Sequence, residues 1–184
     1  MGPSRVVSGA FRLSVRHKDG PILVNLALPG DWLGLEALSE DAPAFEVVAL
    51  TDSAIEAVGA QPLSCEFSRE DWLRAACSQM ARRSHDMARL RTGAVASRLS
   101  VLLGLLGHAP VPPWAQADGD RATANPNPDA LRRSLPSLRD MADVVDAKPE
   151  TVCRTLAQLL PPRSRKGGPR SVATPTHGPL PAFA

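Results

Sequence analysis

Along residues 5–58 apolar positions alternate loosely with polar ones. Val6, Val7, Phe11, Leu13 and Val15 make one such run, and Ile22-Leu23-Val24-Asn25-Leu26-Ala27-Leu28 makes a second. Lys18-Asp19-Gly20-Pro21 reads as the turn between them, and Pro29-Gly30-Asp31 as another. Phe45–Leu50 and Ala54–Val58 add two short runs, broken at Thr51-Asp52-Ser53. Short period-two runs at this spacing predict an antiparallel sandwich or barrel.

The period changes at residue 69. Ser68, followed by Arg69, Glu70 and Asp71, suits a helix N-cap with acidic residues in the first turn. Leu73, Ala76, Cys77, Met80, Ser84, Met87 and Leu90 then recur at spacings of three and four, which predicts a helix over 69–91. The apolar stripe is thin and the opposite face is rich in Arg, a pattern that fits a two-helix seam better than a deep core. Thr92-Gly93 predicts a break, after which Val95, Leu99, Leu102, Leu103 and Leu106 mark a more apolar helix. Residues 108–130 mix Pro with Gly, Asn and Asp and read as a linker. Residues 131–160 are again helical in pattern, and the Pro-, Gly-, Arg- and Ser-rich stretch from Pro161 reads as a disordered basic tail.

Composition narrows the class. The chain has 184 residues, enough for one large or two small domains, and no Tyr and few Phe or Trp, so its cores rest on Leu, Val, Ile and Ala. The net charge of +2 says little alone. Its distribution says more: Arg gathers at Arg82, Arg83, Arg89, Arg91 and Arg98, then basic residues at Arg132, Arg133, Arg139, Arg154, Arg163, Arg165, Lys166 and Arg170, as a phosphate-contacting surface would need, although charge alone favours a set of solvated helix faces. Cys65, Cys77 and Cys153 are odd in number and form no CxxC pair, which argues against a disulfide framework and against four-cysteine zinc or iron–sulfur sites. The sequence shows no signal peptide and no apolar run long enough to span a bilayer, so a cytoplasmic protein with reduced thiols is expected.

The stretch from Leu135 to Leu159 carries the functional signal. Ser137 can cap a short helix through Val145, with Leu138, Met141, Ala142 and Val145 facing inward. Asp146-Ala147-Lys148 is a tight turn, and Pro149 suits the first position of a second helix, where its missing N–H costs nothing. Val152, Leu156 and Leu159 then face the core and leave Glu150, Thr151 and Arg154 outward near the N-terminal end. A recognition helix presents base-reading side chains there: Arg pairs with guanine, a carboxylate accepts from cytosine, and Thr151 with the helix N-terminus can hold a phosphate. Read without further context, the same pattern is an ordinary helical hairpin.

Pro149-Glu-Thr-Val-Cys-Arg-Thr-Leu156 resembles the recognition-helix signature of the Crp/Fnr family of transcription regulators, and Leu135-Pro-Ser-Leu-Arg-Asp-Met-Ala142 resembles that family's first motif helix. The segment from Ser8-Gly9-Ala10-Phe11 through Pro29-Gly30-Asp31-Trp32-Leu33-Gly34 to Ala49-Leu50-Thr51-Asp52 is similar to the later strands of its effector-binding β-roll. Arg91-Thr92-Gly93-Ala94-Val95-Ala96-Ser97-Arg98-Leu99 is similar to the junction after its dimerisation helix. The resemblance covers residues 5–160.

It implies an α+β chain with five parts. Residues 1–68 would form a partial antiparallel β-roll, a cyclic-nucleotide-binding-like jelly roll. Residues 69–107 would hold the long dimerisation helix, seamed by Leu73, Ala76, Met80, Ser84 and Met87, and the hinge helix. A linker (108–130), a winged-helix-type helix-turn-helix (131–160) and the tail (161–184) would follow, the tail showing no pattern for a wing. The implied function is a homodimeric regulator reading a near-palindrome in double-stranded DNA, with RNA polymerase as a further partner. Glu150 and Arg154 would read bases; Ser137, Arg139, Lys148 and Thr151 would hold the backbone. Gly34, Leu35 and Glu36 mark the effector pocket.

Departures refine this. Members that bind cyclic AMP place Glu just after the glycine matching Gly34 and an Arg-Ser pair before the next strand; here stand Leu35 and the Pro43-Ala44 region, so no cyclic-AMP response is expected. No iron–sulfur cysteine set and no heme motif is present, and His17, His85, His108 and His177 are isolated and expected at the surface. The strands that in the family precede the point matching Val6 are missing, so a roll with open edges is expected. Two other readings follow: a family fragment that dimerises through residues 69–91 and binds DNA poorly, and a cupin-like β-roll enzyme, for which no paired His motif is found.

Overall fold

The structure is a computed structural model and describes residues 3–35, 44–57, 69–108 and 128–160. Strands β1 (Ser4–Ser8), β2 (Phe11–His17), β3 (Gly20–Ala27), β4 (Trp32–Leu33), β5 (Glu46–Ala49) and β6 (Ala54–Ala57) come first. Helices α1 (Arg69–Arg91), α2 (Val95–Leu105), α3 (Pro128–Ser134), α4 (Leu138–Val144) and α5 (Pro149–Leu159) follow. The strands make two three-stranded antiparallel sheets, ordered β4-β1-β6 and β3-β2-β5.

The apolar run over 6–15 belongs to both sheets. Gly9 divides it at φ +77°, where a side chain would collide with Ser53 and Asp52. β1 therefore leaves for one sheet and β2 for the other. Between them Val6, Phe11, Leu13, Ala27 and Leu33 close a small core. The β2–β3 hairpin turns at Lys18-Asp19, as expected, and its register slips between Leu13 and Ser14. β4 lies just after the expected Pro29-Gly30-Asp31 turn, in residues to which the alternation assigned no strand, because two residues carry no readable period.

α1 spans the residues its period predicts; the expected cap Ser68 lies outside the described residues. Gly93, at φ +84°, makes the break before α2. α2 closes on Gly107, also left-handed, with the Gly107 N–H bonded to the Gly104 carbonyl and the His108 N–H to that of Leu103. α3 begins at Pro128, inside the stretch expected to be linker, because Pro is well placed in a first helical turn. Most of that stretch, and the tail from Pro161, lie outside the described residues.

The main core joins both halves of the molecule. Leu23 and Leu26 of β3, with Ala10 and Leu50 beside the strand ends, meet Leu90, then Leu99, Leu102 and Leu103 of α2, then Met141, Ala142, Val144, Val145, Val152, Leu156 and Leu160. Helix α2 is the hub: it packs on α1 behind it and on α5 ahead.

Candidate nucleic-acid interface

The α4–α5 pair is built from local rules. Ser137 caps α4, accepting from the Asp140 N–H at 3.1 Å while its hydroxyl donates to the Asp140 carboxylate at 2.6 Å. At the other end Asp146 adopts φ 50°, which a short polar side chain tolerates. The Asp146 N–H reaches the Asp143 carbonyl at 3.4 Å and the Ala147 N–H the Ala142 carbonyl at 2.9 Å, a closing turn of Schellman type. Lys148 stands at the N-cap of α5 in extended backbone, and Pro149 opens that helix.

α5 separates its faces sharply. Val152 and Leu156 are buried, Leu159 is half-buried, and Glu150, Thr151, Cys153 and Arg154 are exposed. Glu150 and Arg154, four residues apart, lie one turn from each other on the outer face. Ser137, Arg139 and Lys148 are also outside the core: Ser137 and Arg139 are exposed and Lys148 is exposed at the N-cap of α5. Leu138 differs from expectation: it is 42% exposed instead of facing inward. The buried set of α4 is Met141, Ala142 and Val144, with Val145 just beyond, and Leu138, in the first turn, lies beside Pro149, Glu150, Cys153 and Arg154.

Three arginines hold this pair in place. The Arg98 guanidinium, from α2, donates to the Val145 carbonyl at 2.6 Å and the Asp146 carbonyl at 3.1 Å, satisfying the C-terminal end of α4. Arg91, at the end of α1, lies 4.0 Å from the Asp146 carboxylate. Arg12, from β2, lies 2.9 Å from Asp143 and 3.8 Å from Asp140.

The expectation that the arginines of α1 and α2 form a phosphate surface is therefore corrected in part. Arg98 and Arg91 turn toward α4. Arg82 and Arg83 bind Asp31, whose side chain is 2% exposed and which also accepts the Leu28 N–H at 3.0 Å. Gln79 completes that joint, accepting from the Trp32 N–H at 2.6 Å and donating to the Trp32 carbonyl at 2.9 Å. Trp72 meets Trp32 edge-on at 4.7 Å between ring centroids. A carboxylate, an amide and a backbone edge thus hold α1 to the sheet, where no apolar pattern could have announced it.

Of the residues expected to seam a dimer, Leu73 and Met80 are 66% and 65% exposed. Ala76 is half-buried, and Met87 packs against the main core within the chain. Ser84 lies on the same helix, one turn beyond Met80. Among the effector candidates, Gly34 adopts φ +75° and Leu35 is half-buried; Glu36 lies outside the described residues. Neither Gly34 nor Leu35 lines the cavity of about 630 Å³ that opens between the Thr51-Asp52 loop, the end of α2 and the α3–α4 junction. His108 does, its ring 3.3 Å from the Ser134 hydroxyl. It is half-buried, contrary to the expectation of a surface histidine, and burial lowers its pKa from the ordinary 6.5. Cys77 and Cys153 are free thiols; Cys65 and His177 lie outside the described residues. No cluster of metal-binding side chains occurs among the described residues, and none of their helices is long and apolar enough to cross a membrane.

This arrangement of two small antiparallel sheets, a long helix, a shorter second helix and a last described helical pair is similar in fold to solved CRP/FNR-family transcriptional regulators. A CRP-family transcriptional regulator from Thermus thermophilus matches with a TM-score of 0.59 at 24% identity, over 85% of this chain and 74% of its own. A CRP/FNR-family regulator from the same organism gives 0.53 at 22%, over 86% and 75%. FixK2 from Bradyrhizobium japonicum gives 0.51 at 22%, over 85% and 73%. No protein-family model matches the chain, and no curated protein matches it in sequence. The resemblance read from the motifs thus agrees with the fold of these structures.

Proposed function

We propose that this protein is a sequence-specific DNA-binding transcription regulator. On this reading α4 and α5 are a helix-turn-helix, the strands are part of an effector-type β-roll, and the chain acts as a homodimer on a near-palindromic operator without responding to cyclic AMP. The observation that carries it is the outer face of α5, where Glu150, Thr151 and Arg154 stand exposed next to a capped, rigidly turned α4.

The mechanism follows from that face. The N-terminal half of α5 enters the major groove, Arg154 donates to a guanine edge and Glu150 accepts from a cytosine amino group. Ser137, Arg139, Lys148 and Thr151 bind phosphates and set the register. Regulators with an Arg at the place of Pro149 read a further guanine with it; Pro149 has no donor, so the half-site is free at that base. Leu73 and Met80, exposed on α1, support pairing of two α1 helices, which sets two half-sites about one helical turn apart. Leu35, where cyclic-AMP binders carry a carboxylate, supports independence from that nucleotide.

Selection from a random duplex library tests the reading. Recovery of a near-palindrome, with binding that weakens as salt rises, is the expected result. Retention of all sequences alike overturns it.

A further inference from the structure

Arg12 sits on the central strand of the β3-β2-β5 sheet, opposite Leu26 on one side and Val48 on the other. Such a position ordinarily takes an apolar residue where its face is covered, and on the β3 side it is: Leu23 and Leu26 share one core with α4 and α5, while Val48 on the other side is 45% exposed. Arg12 is instead a charge, with its side chain only 16% exposed. Its Nε donates to the Ser14 hydroxyl at 3.1 Å, and Ser14 is itself 1% exposed, so the fork is aimed by the strand that carries it. The fork reaches α4, 2.9 Å from Asp143 and 3.8 Å from Asp140. Asp140 also accepts from the capping Ser137 hydroxyl, so the same carboxylate ties the start of α4 to the sheet.

We infer that Arg12 is a positioning residue: its contact with Asp140 and Asp143 fixes the orientation of the α4–α5 pair from the sheet directly, by a route that does not pass through α1. This rests on the reading of α4–α5 as the DNA-reading pair. In the docked arrangement Glu150, Thr151 and Arg154 all remain exposed, so the contact presents the reading face and does not hide it. A shift of β2 or of its neighbours moves the guanidinium and the motif with it. Without the contact the pair samples several orientations, and DNA must then select one of them, which lowers apparent affinity. The Arg98 bonds to the end of α4 hold its other terminus and leave Arg12 to set the tilt.

Arg12→Gln, Asp143→Asn, their double variant and the swap Arg12→Asp with Asp143→Arg test this, each in the full chain with its folded fraction checked by circular dichroism. Two quantities are measured: affinity for the selected operator, and amide hydrogen exchange across α4 and α5 in the free protein. Each single variant is expected to lose affinity about fivefold, the low end of ordinary coupling between sites. The double variant should lose no more than Arg12→Gln alone, since Arg12→Gln already removes the contacts of the fork with both Asp140 and Asp143. Exchange over residues 138–159 should quicken while that of α2 stays unchanged, and the swap should recover both quantities. Wild-type affinity and exchange in Arg12→Gln, or losses that multiply in the double variant, would overturn the inference. If the wild-type chain selects no sequence, the regulator reading falls, and the exchange data alone decide whether Arg12 fixes the pair.

Discussion

The α4–α5 pair and helix α1 solve the same problem, attaching a helix to a small protein, in opposite ways. α5 divides its residues cleanly: Val152 and Leu156 go inside, and the charged and polar positions go out. Its turn is closed by backbone bonds and its neighbour is capped by Ser137. α1 buries Gln79 and Leu90 yet leaves Leu73 and Met80 open, and it is tied to the sheet by Asp31, Gln79 and two arginines. The first leaves one large apolar side chain, Leu138, open. The second carries apolar side chains that one chain does not cover, which is the condition a dimer seam requires.

The sharpest way to break this comparison is to truncate one leucine in each region. Leu156→Ala leaves a cavity in the shared core and should cost about 2–5 kcal/mol in urea unfolding. Leu73→Ala should cost under about 0.5 kcal/mol for the chain alone, with any larger loss depending on protein concentration, as a seam between chains demands. A large, concentration-independent loss at Leu73 would show that α1 is covered within the chain. Next in size is Asp31→Ala. It removes the carboxylate facing Arg82 and Arg83 and should cost about 3 kcal/mol, since a nearly buried charge loses its partner; a wild-type midpoint would mean that apolar contacts alone hold α1.

Ser137→Ala removes the α4 cap and should cost about 1 kcal/mol, read from the same unfolding curves, with Ser137→Asp retaining most of it. The smallest effect is expected at His108. Burial lowers its pKa in the folded chain, so the unfolded chain binds that proton more tightly. The His108 contribution to stability is therefore full above about pH 6.5 and declines as the pH falls from there toward the lowered folded value. Thermal midpoints recorded across that range should fall slightly toward acid, and His108→Asn should flatten the slope.

Much of this was legible in the chain before any coordinates, and for identifiable reasons. The 3.6-residue period and the Thr92-Gly93 break gave α1 and α2. Ser137, Asp146 and Pro149 gave α4 and α5, because caps and turns are local chemistry. The outward face of Glu150, Thr151 and Arg154 followed from the same period. Other features were not legible. Gly9 splits one apolar run between two sheets, and nothing nearby in sequence says that Ser53 and Asp52 crowd it. The Asp31 joint closes over about fifty residues and Arg12 reaches still further, and charge pairs at such separation leave no periodic trace. The arginines of α1 therefore looked like a phosphate surface when two of them hold the helix to the sheet. Leu138 looked like core because it shares the face of Met141 and Ala142; it opens α4, and the first turn of the helix lies at the edge of the core.

The account depends most on the outer face of α5 reading bases, and the affinity of Arg154→Ala for the selected operator and its single-base variants tests that directly. The predicted result is a loss of about 1–3 kcal/mol confined to the cognate sequence, with discrimination relaxed at one base pair in each half-site and the salt dependence kept. If wild-type protein and Arg154→Ala bind the operator and its variants equally, the face does not read bases and the proposed function is wrong.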